Sequence, residues 1–171
     1  MSSMVPDRAL RGPARGLVTV ALALVATSLL VACAPAAARS DDVNALGSVC
    51  DHLDESSSAV ATARLAVQAR ASGRLPGVTA DVSIADAAET ATGAVHGIGT
   101  LVLSDADADR VRDEALDAAS GAVGPVTAAR TWLGRPPSAA QDVLRALDDA
   151  GNALDRAKTA VERARSAAVT P

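Results

Sequence analysis

An all-α fold is expected, an Ala-rich antiparallel four-helix bundle running up-down-up-down. Three observations predict it. Apolar residues recur at alternating spacings of three and four through four stretches of the chain. Short connections containing Gly or Pro separate these stretches, and no run alternates with period two long enough to make a strand. About a quarter of the residues from position 33 onward are Ala, the best helix former. Large aliphatic residues are sparse, so the core should be thin and the helices closely packed through Ala methyls.

The first segment runs from about Asp42 to Ser72, with Leu46, Val49, Leu53, Ser56, Val60, Ala63 and Val67 on one stripe. Ser72-Gly73 and Leu75-Pro76-Gly77 end it. The second runs from about Ser83 to Leu103 through Ile84, Ala88, Ala91, Val95, Ile98 and Val102. Ser83 is its expected N-cap, with Asp86 three residues on. Gly93, Gly97 and Gly99 are poor helix formers, so either another backbone packs tightly there or the helix loosens or breaks near Gly97. The third begins at Ser104 or Asp105 and continues to about Leu133. Pro125 within it removes a hydrogen bond and crowds the carbonyl of Gly121, which predicts a kink or a break. Gly134-Arg135-Pro136-Pro137 is a hard stop. The fourth opens at Ser138, with Gln141 completing a capping box. Its stripe of Val143, Leu147, Ala150, Leu154, Ala157, Val161 and Ala164 is the cleanest in the chain.

Ahead of the bundle lies a different kind of sequence. Residues 1–16 carry Arg8, Arg11 and Arg15 against one acid, Asp7, and Leu17–Ala32 holds no charge. That apolar run, at ~1.5 Å per residue, is shorter than the ~30 Å hydrocarbon core of a bilayer. A basic start, a short apolar run and small residues at its end read as a signal peptide. The run closes on Leu30-Val31-Ala32-Cys33. Residues 1–33 thereby resemble bacterial lipoprotein precursors, in which a lipobox of Leu, two small or aliphatic residues and Cys is cut by signal peptidase II. The resemblance implies cleavage after Ala32 and a diacylglyceryl group on Cys33. It also implies a mature chain lipid-anchored at the outer face of the cytoplasmic membrane. Two acyl chains anchor stably where one does not, at ~0.8 kcal/mol per buried CH₂. Residues 33–41 are then the lipidated Cys and a short tether whose eight residues after Cys33 reach under ~30 Å. The bundle domain is 42–171.

Composition removes whole classes of function. Losing the leader takes the formal charge from −4 to −6, since three Arg and one Asp go with it. An acidic surface argues against nucleic acid and anionic headgroups as partners. Phe and Tyr are absent and Trp132 is the sole Trp, so no aromatic platform exists for sugars or for single-stranded bases. The richness in Ala, Arg, Asp, Gly and Val, all encoded by GC-rich codons, points to a high-GC bacterium such as an actinobacterium.

Candidate chemistry is thin. Cys50 is the one thiol besides Cys33, and beside Val49 it reads as a small buried hydrophobe, with a cross-subunit disulfide as the alternative. No metal site is assigned. The nearest approach to one is His52 and Glu55, which share a helix face at i, i+3, with His96 on the second segment. Asp105-Ala-Asp107-Ala-Asp109 resembles a calcium loop only in part, because Arg110 stands where Gly is needed and Leu116 where Glu is needed. Acids favoured at a helix start explain it better. No nucleophile elbow, zinc-protease pair or phosphate loop occurs, so no catalytic residue and no cofactor are expected. The expectation is an interaction module, with another envelope or membrane protein as partner. The alternative is a carrier or sensor of a small apolar ligand or metal ion held between helices.

Overall fold

The computed structural model describes residues 14–169, with side chains from residue 39 onward. Residues 1–38 separate by packing from a second unit, 39–171. The side chains of the leader, Cys33 included, lie outside the described residues. Four α-helices and one 3₁₀ turn follow in order: α1 (Ala14–Ala71), α2 (Gly77–Thr100), α3 (Ala106–Trp132), the turn (Pro137–Ala139) and α4 (Ala140–Val169). No strand occurs among the described residues. The fold is an all-α four-helix bundle.

Contacts across the interfaces run in opposite chain order. Arg64 meets Asp148 at 2.6 Å while Asp54 meets Lys158 at 2.5 Å, which sets α1 against α4. Asp81 pairs with Arg130 at one end of α2–α3, and the Leu101 carbonyl accepts from Arg112 at the other. Thr62 lies beside Ser83 and His52 beside Gly97, so α1 and α2 are also antiparallel.

The core is a set of heptad columns. Leu46, Leu53, Val60 and Val67 on α1, Ile84, Ala91 and Ile98 on α2, and Leu147, Leu154 and Val161 on α4 are buried at seven-residue spacing. On α3 the matching column is Ala108, Ala115, Ala122 and Ala129. Seven-residue repeats keep one seam facing its neighbours along a helix. The small α3 column lets the bulky side chains of the other helices reach across, which is how a chain poor in large aliphatics still closes its core.

Local sequence explains most of the helix ends. Gly73, at φ 72°, takes the left-handed position after α1. The amide of Arg74 then bonds the Ala69 carbonyl at 2.9 Å, and that of Gly73 bonds Arg70 at 3.0 Å. This pair of bonds is the Schellman closure. Asp105 caps α3, its Oδ1 accepting from the amides of Asp107 and Ala108, each at 3.0 Å.

Arg39, Ser40 and Asp41, the end of the short tether, are helical and continuous with α1, well within the upper bound set on its reach. No proline stands between Ala36 and Leu75 to stop that helix. At ~1.5 Å per helical residue they span less than half the extended reach. Several expectations require correction. The second helix starts at Gly77 rather than Ser83, because Pro76 sits at the N-cap with extended backbone and Ala80 is fully buried in the first turn. Ser83 is helix interior. The helix does not break near Gly97 but continues to Thr100. Nor does α3 break at Pro125. Ala122, Val126 and Ala129 are fully buried on both sides of it, and Gly121, whose carbonyl loses its helical donor to the proline, is an exposed residue. Finally, α4 starts at Ala140 after the 3₁₀ turn, where Ala139 bonds Pro136 at 3.0 Å, and not at a Ser138 capping box.

Candidate functional site

Of the residues singled out in the sequence, His52 and Glu55 come together and His96 does not join them. His52 Nδ1 lies 2.9 Å from Glu55 Oε2. His96 is exposed on α2, and among the described residues no three His, Cys, Asp or Glu side chains converge on a metal position. The Nε2 edge of the His52 ring instead lies against α2 at Gly97. A Cβ at position 97 would stand 2.8 Å from its Cδ2 and closer still to Cε1 and Nε2. Gly97 is therefore a packing glycine, and what packs on it is an imidazole rather than a second backbone.

Cys50 is buried and carries no disulfide. Burial is the main cause that pushes its thiol pKa up, with Glu162 adding to it and Arg165 and Lys158 opposing. The protonated thiol behaves as a small apolar side chain. Asp107 and Asp109 occupy the first turn of α3, where acids face the positive end of the helix dipole.

One well-built polar feature had no local signature. Asp42, 5% exposed, reaches from the start of the bundle part of α1 to the α2–α3 connection. Its Oδ1 accepts from the Ser104 amide at 2.7 Å and its Oδ2 from the Asp105 amide at 3.1 Å. From the other side Arg112 donates to the Leu101 carbonyl at 3.0 Å, and its guanidinium is held by Asp109 and Asp113 at 2.6 and 2.9 Å. The partners of Asp42 are 62 and 63 residues away, beyond the reach of any sequence-local rule.

The surface that stands out lies along α1 and α2 near the turn joining them. Leu65, Val78 and Val82 are 63%, 80% and 54% exposed, three of the five exposed large apolar side chains among the described residues. Beside them is a shallow depression of about 270 Å³ lined by Thr62, Leu65, Ala66, Ala69, Leu75 and Ser83. Thr62 and Ser83 also line a second depression, of about 240 Å³, which continues to Ser58, Asp86 and Thr90. The groove is graded. On α2 the exposed positions pass from Val78 and Val82 to Asp86 and Glu89. On the antiparallel α1 they pass from Leu65 through Thr62 and Ser58 to Glu55. Of the residues that line the two depressions, Leu65, Ala66 and Ala69 of α1 with Leu75 form the apolar end, and Asp86 of α2 lies towards the other.

The neighbouring interfaces treat charge differently. Ion pairs Arg64–Asp148 and Asp54–Lys158 bridge α1 and α4, and Asp81–Arg130 bridges α2 and α3. Hydrogen bonding to Asp54 and to Asp81 raises the pKa of Lys158 and of Arg130 respectively. Among the described residues no ion pair bridges α1 and α2. Glu55 is paired within its own helix, and Asp86 and Glu89 have no basic partner. No helix among the residues with described side chains is long and apolar enough to cross a membrane. Comparison with protein-family models, with curated proteins and with solved structures gives no match for this chain.

Proposed function

We propose that this chain is an extracytoplasmic lipoprotein, anchored through diacylglyceryl on Cys33, whose four-helix bundle is an interaction module for a second envelope or membrane protein. The observation that carries the interaction reading is the α1–α2 groove. It leaves Leu65, Val78 and Val82 in water while the flanking interfaces close with ion pairs. Exposed apolar side chains gathered beside a depression, as Leu65 is here, are what a binding surface offers a partner. The anchor reading rests on the Arg-bearing start, the uncharged run Leu17–Ala32 and the Leu30–Cys33 box. A carrier with its ligand between the helices is not favoured, since Leu46, Leu53, Ile84, Ile98, Leu147 and Leu154 fill that space.

Intact-mass analysis of the protein extracted from native membranes tests the anchor. A chain beginning at Cys33 with added acyl mass is expected; a retained leader and a bare thiol would overturn it. Crosslinking in the same membranes tests the module. Capture of membrane-embedded neighbours supports it, and recovery of distant wall components alone counts against it.

A further inference from the structure

We infer that the α1–α2 groove receives an amphipathic helix of a partner protein, apolar at one end and rich in Lys or Arg towards the other. The inference rests on reading the bundle as an interaction module and names what that module holds.

The chemistry of the groove sets the chemistry of the occupant. Its apolar end is built by Leu65, Ala66, Ala69 and Leu75, which line the larger depression, and Val82 is exposed one position before the lining Ser83. An aliphatic side chain of the partner seated there would remove Leu65 and Val82 from water, at ~25 cal/mol per Å² of apolar area. From Ala69 to Glu55 is fourteen residues, or ~21 Å at ~1.5 Å per residue. A partner helix of about four turns matches that length. At the other end Asp86 lines the groove and Glu89 and Glu55 are exposed nearby; among the described residues none has a Lys or Arg partner, Glu55 being bonded to His52 of its own helix. Ser58, Thr62, Ser83 and Thr90 between the two ends are short enough to let a helix lie close.

Charge also decides against the simplest competitor, a second copy of this chain. Two such grooves face to face would set Asp86, Glu89 and Glu55 against the same acids. Shifted along the groove, they would bury those acids against Leu65 and Val82. Like charges across an interface and unpaired buried carboxylates are both unfavourable. A basic helix meets neither penalty, and its approach is favoured by the negative charge of the whole bundle.

The test uses the full lipid-anchored chain in nanodiscs of zwitterionic lipid, so that a cationic probe has no anionic bilayer to bind. Three fluorescent helical peptides are compared. The first carries a Leu stripe with flanking Lys, the second is a shuffled isomer of equal charge without the stripe, and the third has Glu in place of Lys. A benzophenone at one Leu position reports the contact site by mass spectrometry. The Leu/Lys peptide is expected to bind, to crosslink within 62–69 and 75–82, and to weaken as salt rises. Leu65→Ser and Val82→Ser, both at exposed positions, should each weaken it about tenfold. Asp86→Asn combined with Glu89→Gln should weaken it several-fold and flatten the salt dependence. The proposal is overturned by crosslinks elsewhere, by equal binding of the shuffled or Glu peptide, by no binding, or by a homodimer in nanodisc-free sedimentation that Leu65→Ser dissociates. If native crosslinking recovers a membrane neighbour through another face, this inference fails while the interaction module stands. If the leader proves uncleaved but the peptide result holds, the inference and the interaction module stand while the lipid-anchor reading fails.

Discussion

Replacing Gly97 with Ala should destabilise this bundle, although Ala is the better helix former. In an unobstructed helix interior the change gains ~0.8–1 kcal/mol. At position 97 the new methyl would overlap all three near atoms of the His52 ring, which must swing outward by about 1 Å to reach ordinary contact. That swing strains or breaks the 2.9 Å bond from His52 to Glu55, worth ~0.5–1.5 kcal/mol, and overpacking elsewhere in the contact costs ~1–3 kcal/mol. Because the partly exposed ring can swing into water, both costs fall in the lower half of their ranges, and the net loss is ~1–2 kcal/mol, or a Tm lower by roughly 3–8 °C for a domain of this size. Gly93, one turn earlier on the same helix, has nothing within 4 Å of its Cβ position. Gly93→Ala should therefore stabilise by ~1 kcal/mol. In a His52→Ala background the obstruction is gone, and Gly97→Ala should become stabilising by a similar amount. Urea unfolding of the four variants followed by circular dichroism closes the cycle, with an expected coupling of ~1–3 kcal/mol. If Gly97→Ala stabilises as much as Gly93→Ala in the wild-type background, the imidazole is not packed on Gly97 and the reasoning is wrong.

Three further outcomes follow from the same kind of accounting. Asp42→Ala removes both acceptors for the Ser104 and Asp105 amides and should lower stability by ~1–3 kcal/mol, with faster hydrogen exchange confined to the α2–α3 connection; global exchange changes alone would contradict the assigned role. Ser56 is fully buried on the inner stripe of α1 and its hydroxyl has no partner, so Ser56→Ala should raise the urea midpoint by the equivalent of ~1 kcal/mol; a drop would mean the hydroxyl is satisfied. For Cys50 the native thiol pKa lies above its ordinary value of 9.0, because burial disfavours the thiolate. The unfolded chain then loses this proton first, and the stability contributed by the protonated thiol is full below that ordinary value and lost as pH rises through the native one. Wild type should thus lose more stability than Cys50→Ala between about pH 8 and about pH 10, and equal losses would show the thiol to be solvated.

What could be read in advance was whatever depends on near neighbours in the chain. The stripe on α4 repeats Leu147, Leu154 and Val161 at one heptad, and its pattern alone specifies both helix and inner face. Gly73 and Asp105 mark helix ends because left-handed backbone and amide capping are local demands. Ser83 had the same local credentials and failed, since burial of Ala80 extended the helix past it. Of the two outcomes expected at Pro125, a kink or a break, the break does not occur, since tertiary packing on both sides outweighs one lost bond. The His52–Gly97 contact and the bonds of Asp42 join distant segments, and composition or periodicity carries no trace of either. The thin core singled out no helix pair, and the groove became visible only with the antiparallel placement of α1 and α2.

The position of Asp42 has a mechanical side. A tug on α1 at the Asp42 end of its bundle part would not be borne by that helix alone. The carboxylate passes it, through two amide protons, to the joint between α2 and α3, where Arg112 grips the same joint from behind. Load entering at one corner is spread over three rods, so the bundle resists as a block instead of fraying from its first turn.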